Sequence, residues 1–315
     1  MASRPFFETK ERSQIMLKDK TNSAILLVLI AGILWSFGAL VVRYIEDARS
    51  VPWQYLFFRG LTIFVLLNLY LFFKEGKSFT KNYKKIDISI VIGGMGFATA
   101  FIGFIWSITH TSAAVTLMML AAMPFMTAIL GYIFLKEKIS LTTFFAIIIA
   151  AVGISFMAFN SSKTGTLFGL MFGLLSSLGF SIGSVSLRWN KRTPTFTTVS
   201  LAGLFCAIIS FSVLIISEQS FFTTFKNSSL SALHGALVCS GLILYTIGSK
   251  KLPAADLTLL SLTEVLGGIF WVWLPIFGIN EVPTTNTIIG GFIITFAILY
   301  YSLSTKRNRR FIGLN

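Results

Sequence analysis

The chain is 315 residues long, 55% hydrophobic and only 12% charged, whereas a soluble domain carries about 25% charge. Its mean hydropathy is +0.80, and so few charges cannot cover the apolar surface of a soluble fold. Together with 32 Phe against 7 Pro, this excludes soluble, disordered and collagen-like chains and leaves a polytopic membrane protein.

The net charge of +14 does not argue for nucleic acid. The basic residues fall in short runs between apolar stretches, such as Lys74, Lys77, Lys81, Lys84 and Lys85, or Lys306, Arg307, Arg309 and Arg310. That is the pattern of topology-setting charge beside a membrane.

Crossing about 30 Å of hydrocarbon takes roughly 20 apolar residues in a helix. Ten such spans follow one another, at about 23–45, 53–73, 87–108, 112–135, 141–159, 166–187, 195–217, 230–249, 257–277 and 285–304. The expected fold class is therefore all-α with ten transmembrane helices. Residues 1–22 read as a polar, disordered cytoplasmic tail, and 305–315 as a basic cytoplasmic tail. The first span is too long for a signal-peptide core, and Arg43 follows it rather than a small-residue cleavage site.

Basic residues set the expected orientation. With the N-terminus inside, the inner segments hold the tail, 74–86, Lys136, Lys138, Arg188, Lys191, Arg192, Lys250, Lys251 and the C-terminal cluster. The outer segments hold only Arg49, Lys163 and Lys226. This bias predicts both termini in the cytoplasm of a multi-pass inner (cytoplasmic) membrane protein. Trp53 and Tyr301, near span ends, fit interfacial anchors or a plain lipid-facing role equally well.

Shifting the sequence by 141 residues superposes Gly32 on Gly173, Gly38 on Gly179, Gly94 on Gly235, and Ala113-Ala114 on Ala254-Ala255. The chain then divides into 23–160 and 165–304, five spans each. An odd number forces the second unit to enter from the opposite face. Inverted repeats of this kind are a transporter architecture, with the substrate site near the midplane. Gly165, Gly169 and Gly173 recur every four residues, and Gly93, Gly94 and Gly96 cluster; close helix packing accounts for most such glycines.

Several motifs resemble a known family. The first span carries Trp35-Ser36-Phe37-Gly38, and the second "VPWQYLFFRGL" with Pro52 and Arg59. "THTSAAVTLMMLAAMPFMTAILGYIFLKEKIS", with Ala113, Ala114, Pro124 and Glu137, returns as "LPAADLTLLSLTEVLGGIFWVWLPIFGINEVPT". These are similar to the signatures of the drug/metabolite transporter (DMT) superfamily, EamA type, over about residues 24–304. The resemblance implies ten helices in two inverted five-helix repeats, moving small metabolites outward or inward. Two departures stand out: Val265 replaces a proline after Glu264, and the Glu264–Glu281 stretch is three residues longer than Met123–Glu137.

Charges inside the bilayer cost roughly 2.5–3.5 kcal/mol each on insertion scales and therefore face a partner or a water cavity. Arg59 lies within the second span and Arg43 at the outer end of the first. An arginine fork suits a carboxylate; for Arg43, snorkelling to Glu46 or Asp47 is the plainer expectation. Glu264 is the acid deepest in an apolar span. Thr258, Ser261, Glu264, Gly268 and Trp271 follow spacings of 3, 3, 4 and 3, which puts them on one helical face. A carboxylate there can carry a coupling proton or bind a cationic substrate group. Trp35, Trp106, Trp271 and Trp273 are further candidates for the cavity wall. His110 reads as a loop residue and Asp256 as a first-turn acid on a helix dipole.

No nucleophile elbow, paired histidine ligands or phosphate loop is present. Cys206 and Cys239 read as packing residues. The expectation is a non-enzymatic secondary transporter without metal or cofactor. It exports a small polar metabolite, an amino acid or similar, by alternating access, with Glu264 as candidate for proton coupling. Its partners are that small molecule and the lipid bilayer, not nucleic acid; monomer and homodimer both fit. An uptake permease of the same fold is the nearest alternative. A membrane-embedded enzyme or signalling scaffold would call for an extramembrane domain, yet the longest loop is about a dozen residues.

Overall fold

A computed structural model describes residues 4–158, 167–189 and 195–312, with side chains for 21–156, 167–189 and 195–304. The helices are α1 (Arg4–Arg43), α2 (Pro52–Glu75), α3 (Thr80–Tyr83), α4 (Ile88–His110), α5 (Ala113–Leu120), α6 (Met123–Leu130) and α7 (Leu141–Ala158). After them come α8 (Leu167–Trp189), α9 (Thr195–Ile216), α10 (Phe225–Ser249), α11 (Ala254–Leu260), α12 (Thr263–Trp273) and α13 (Thr285–Ile312). Among the described residues there is no strand. Nine helical spans there are long and apolar enough to cross a bilayer, and Leu141–Phe156 is a shorter apolar helix among them. The protein is an all-helical polytopic membrane protein.

Local chemistry sets the helix starts. Pro52 opens α2, while Asp87, Ser112 and Thr224 accept backbone N–H bonds at the starts of α4, α5 and α10. The first helix departs from expectation, because α1 extends back to Arg4 through residues read as a disordered tail. That stretch has no glycine and is rich in Glu, Lys and Arg, which favour helix. Gly165, Lys163, Lys191 and Arg192 lie outside the described residues.

Two crossings are discontinuous at matched positions. α5 ends at Leu120 and α6 begins at Met123; α11 ends at Leu260 and α12 begins at Thr263. Pro124 stands in the first turn of α6, and Val265 replaces it in α12. The second break forms without a proline. The three extra residues before Glu281 enter a 3-10 turn at Pro275–Phe277 and a bend with positive φ at Gly278 and Asn280. The first half instead uses a π-turn at Gly131–Leu135 and a left-handed Lys136.

Both detours deliver a glutamate to the same kind of contact. Arg43 Nε donates to Glu281 Oε1 at 2.5 Å, and Ala113 N donates to Glu281 Oε2 at 3.1 Å. The remaining Arg43 nitrogens bond to the carbonyls of Ile108 and Thr111. At the other end, Arg188 Nε donates to Glu137 Oε1 at 2.6 Å, and Ala254 N to Glu137 Oε2 at 2.9 Å. Arg188 Nη1 reaches the carbonyls of Ser249 and Leu252. Arg43 thus belongs to this clasp rather than snorkelling to Glu46 or Asp47. α5–α6 runs away from the Glu281 clasp toward the Glu137 clasp, and α11–α12 runs the other way.

Lys136 and Lys138 flank Glu137, and Lys250 and Lys251 follow Ser249, so the Arg188 clasp marks a basic end of the bundle. Lys74 and Lys250 both lie over the Phe196 ring at that end, at 4.6 and 5.6 Å.

Helix pairing repeats between the halves. α1 packs on α10 as α8 packs on α4, and α1 meets α12 as α8 meets α6. The α2·α9 and α7·α13 pairs lie between them. Backbones nearly touch where glycines face each other. A Cβ on Gly203 would lie 2.8 Å from Gly60 O and Phe64 N, and one on Gly60 would lie 2.8 Å from Gly203 O and Ala207 N. A Cβ on Gly291 meets only Leu266 Cδ2, at 3.7 Å. Overpacking a tight crossing costs about 1–3 kcal/mol. Gly203→Ala is therefore expected to lower the thermal midpoint in detergent by several degrees, with Gly291→Ala close to the parent. Equal midpoints would mean the α2·α9 crossing yields freely.

Candidate functional site

Between the clasps, beside both helix breaks, lies a cavity lined by Trp35 of α1, Arg59 of α2, and Phe101 and Phe104 of α4. Leu120 and Met123 border it from the first break and Glu264 from the second; Ser176, Phe180, His234, Val238 and Leu242 complete the wall. It offers about 40 Å³ to water-sized occupants, room for a few waters but far below the roughly 300 Å³ of a typical ligand pocket. A metabolite needs the helices to part.

Arg59 is the cation of this cavity and is only 4% exposed. Its Nη1 donates one long bond to Phe101 O at 3.4 Å, and its Nε has no partner. The guanidinium carbon stands 4.8 Å from the Phe101 ring centre and 5.9 Å from that of Phe104. Aromatic faces stabilise a cation by about 1–2 kcal/mol once water is withdrawn. They supply no counter-charge. Glu264, the second residue of α12, lines the same cavity, where the helix N-terminus favours its carboxylate. Among the described residues, neither charge forms an ion pair within 4.0 Å. An unpaired acid and an unpaired base therefore share one enclosed space.

His234 was not singled out in the sequence, although it is an ionisable residue inside a span, as Arg59 is. It is 2% exposed, with Nδ1 2.5 Å from the Tyr55 hydroxyl. Gly38 makes room for it, since a Cβ there would lie 2.5 Å from His234 Nε2. Trp35 packs edge-on to Phe180 at 5.4 Å and donates from Nε1 to Val238 O at 3.2 Å.

The other candidates stand elsewhere. Trp271 stacks on Phe37 at 4.6 Å and donates to Ser36 Oγ at 2.8 Å, joining α12 to α1. Thr258 and Ser261 are buried and bond to carbonyls of their own turn. The break at 261–262 interrupts the face that would have aligned them with Glu264. Trp106 stacks on His110 at 5.4 Å, beside Trp53 and Phe168. Trp273 is 40% exposed. Asp256 stands in the first turn of α11, as expected, and also accepts bonds from Thr143 and Tyr301.

Comparisons with known proteins bear on this arrangement. Residues 22–159 match the EamA-like transporter family. They belong to it. The chain is similar over 92% of its length, at 22% identity, to the whole of a pseudopaline exporter, CntI, of Pseudomonas aeruginosa. An uncharacterized Bacillus subtilis transporter, YojE, is 23% identical over 76% of this chain and 80% of its own. Uncharacterized transporters of Helicobacter pylori are 27% identical over 165 residues, so the chain spans about half the length of those curated relatives. A solved crystal structure superposes with a TM-score of 0.70, covering 90% of this chain and 98% of that one at 18% identity; it shares the fold. Over most of its length the chain is thus similar to proteins named as transporters, and residues 22–159 carry the EamA-like match.

Arg59→Leu removes the fork and the charge, whereas Arg59→Lys keeps only the charge. Both are expected to insert normally and to reduce transport at least tenfold, Leu more than Lys. Normal transport by Arg59→Leu would remove the residue from the site.

Proposed function

We propose that the protein is a secondary transporter that exports a small zwitterionic metabolite, such as an amino acid, across the cytoplasmic membrane by alternating access. One observation carries this reading: Arg59 and Glu264, oppositely charged and unpaired, line one cavity at the meeting point of the two helix breaks. Arg59 takes the carboxylate through its guanidinium fork, Glu264 takes the ammonium, and Trp35, Phe101, Phe104 and Phe180 surround the side chain. Glu264 is also the group in this cavity able to carry a coupling proton. Export is favoured by the relative named as an exporter. The basic end is assigned to the cytoplasm by the positive-inside bias.

Alternating access gives the two clasps a job. Arg43 and Glu281 tie the ends of α1 and α4 and the start of α5 to the second half; Arg188 and Glu137 tie α8, α10 and α11 to the first. We read the halves as inverted repeats, which makes the clasps equivalent gates at opposite faces. Releasing either opens the cavity to one side, and releasing both would leave a leak. The runner-up, uptake through the same path, uses the same residues.

Two measurements test this reading. Glu264→Gln keeps shape and hydrogen-bonding capacity but cannot titrate. It is expected to lose transport of zwitterions in proteoliposomes, and any pH dependence of transport, while folding normally; an unchanged rate and pH profile would make Glu264 structural. For the gates, a cysteine replaces Leu120 in a chain lacking Cys206 and Cys239. Glu137→Gln is expected to speed its labelling from the basic end several-fold, and Glu281→Gln from the opposite end. Equal labelling from both sides in both variants would show that the clasps do not gate.

A further inference from the structure

We propose that a second cavity, at the basic end of the bundle and apart from the substrate cavity, binds one monovalent cation, a proton or sodium, on the carboxylate of Asp256. The cavity lies among α6, α7, α11 and the loop after α6, lined by Thr127, Ser140, Thr143 and Asp256, with Glu137 and Lys138 toward its rim. It offers about 50 Å³ to water-sized occupants, enough for a cation with a water or two.

Asp256 is 8% exposed. Its Oδ1 accepts from Thr143 Oγ1 at 2.7 Å and its Oδ2 from the Tyr301 hydroxyl at 2.5 Å. Both donors are neutral, and among the described residues no cationic nitrogen lies within 4.0 Å of it. Hydroxyl donors offset part of the cost of burying a carboxylate; a counter-charge is still missing.

An independent observation points to a ligand. Thr127 is fully buried, lines this cavity, and its Oγ1 has no hydrogen-bond partner. A buried hydroxyl left idle costs about 1–3 kcal/mol, so an occupant that engages Thr127 recovers energy as well as charge.

The surrounding charges fix the valence. Glu137 is committed to Arg188 and to Ala254 N, so it neither neutralises Asp256 nor adds free negative charge. Lys138 is exposed, and among the described residues the other titratable groups facing the site are Tyr132 and Tyr301. One negative charge that no described residue neutralises, set among hydroxyl oxygens, suits a single hard monovalent cation.

Position gives the ion its role, a step that rests on the transporter reading above. Thr127 and Thr143 belong to the first half, Asp256 and Tyr301 to the second, so an ion here ties the halves beside the Glu137 clasp. Occupancy then favours closure of the basic end and couples the ion to the substrate cycle.

Binding is measured without substrate. The purified full chain is unfolded thermally in detergent, with sodium chloride replacing choline chloride at constant ionic strength, and separately in choline across a pH series. A ligand of the folded state raises the midpoint saturably. If the ion is sodium, the parent and Glu264→Gln gain stability with sodium, Asp256→Asn does not, and Thr127→Val needs about tenfold more sodium. If it is a proton, sodium has no effect, but the parent's pH profile carries one protonation step that Asp256→Asn lacks and Thr127→Val displaces. Identical responses of the parent and Asp256→Asn in both arms overturn the proposal. Should Asp256→Asn fail to fold, unchanged sodium and pH responses in Thr127→Val overturn it instead.

Discussion

A helix broken inside a membrane exposes backbone groups where no water can satisfy them, and this bundle is organised around two such breaks. At the first, hydroxyls of α8 reach the loosened carbonyls: Ser177 Oγ donates to Met119 O at 2.6 Å and Ser181 Oγ to Met123 O at 3.2 Å. At the second, Ser261 and Thr263 serve their own turn, and Thr263 also reaches Leu29 O of α1. The outer starts of the same crossings are capped by Glu281 on Ala113 N and Glu137 on Ala254 N. Each broken helix therefore depends on the opposite half at its start, and the first leans on α8 at its middle.

That dependence separates two populations of charge. Arg43, Arg188, Glu137 and Glu281 sit near the ends, partly exposed, each carboxylate bonded to an arginine and to a backbone N–H. Their contacts combine charge neutralisation with helix capping, so they are costly to lose yet still within reach of water. Arg59 and Glu264 line the inner cavity instead, and Arg59 makes a single long hydrogen bond, to Phe101 O. Had they served structure alone, a short pair like those at the ends would have been the cheaper arrangement. Charges left without partners are what the proposed substrate site would need, because an occupant can then be bound and released.

The spans were legible because hydropathy dominates in a membrane, and α4, α5–α6 and α9 lie within a few residues of their expected positions. Pairings across the bundle were not. Arg43 and Glu281 are 238 residues apart, and nothing near Arg43 in the sequence distinguishes Glu281 from the closer Glu46. The helical face proposed through Thr258, Ser261, Glu264, Gly268 and Trp271 assumed an unbroken helix; a break at 261–262 re-aims everything before it. Of the candidates, Trp35, Arg59 and Glu264 converge on the cavity. His234 was overlooked, though the rule that ionisable residues inside spans need a reason applies to it equally.

The absence of a proline at Val265 makes the two breaks mechanically different. In the first half, Pro124 cannot donate a backbone hydrogen bond, so that break is enforced by covalent structure. In the second half, Val265 N donates to Leu262 O at 3.0 Å and Glu264 N to Ser261 O at 2.9 Å, a tight turn that retains its donors. Such a turn can rewind toward regular helix as Pro124's cannot. The break that keeps its donors is the one carrying Glu264, so in the proposed transport cycle rewinding there would shift the carboxylate relative to Arg59. In that cycle the Pro124 break would be the fixed wall against which the other half repositions its charge.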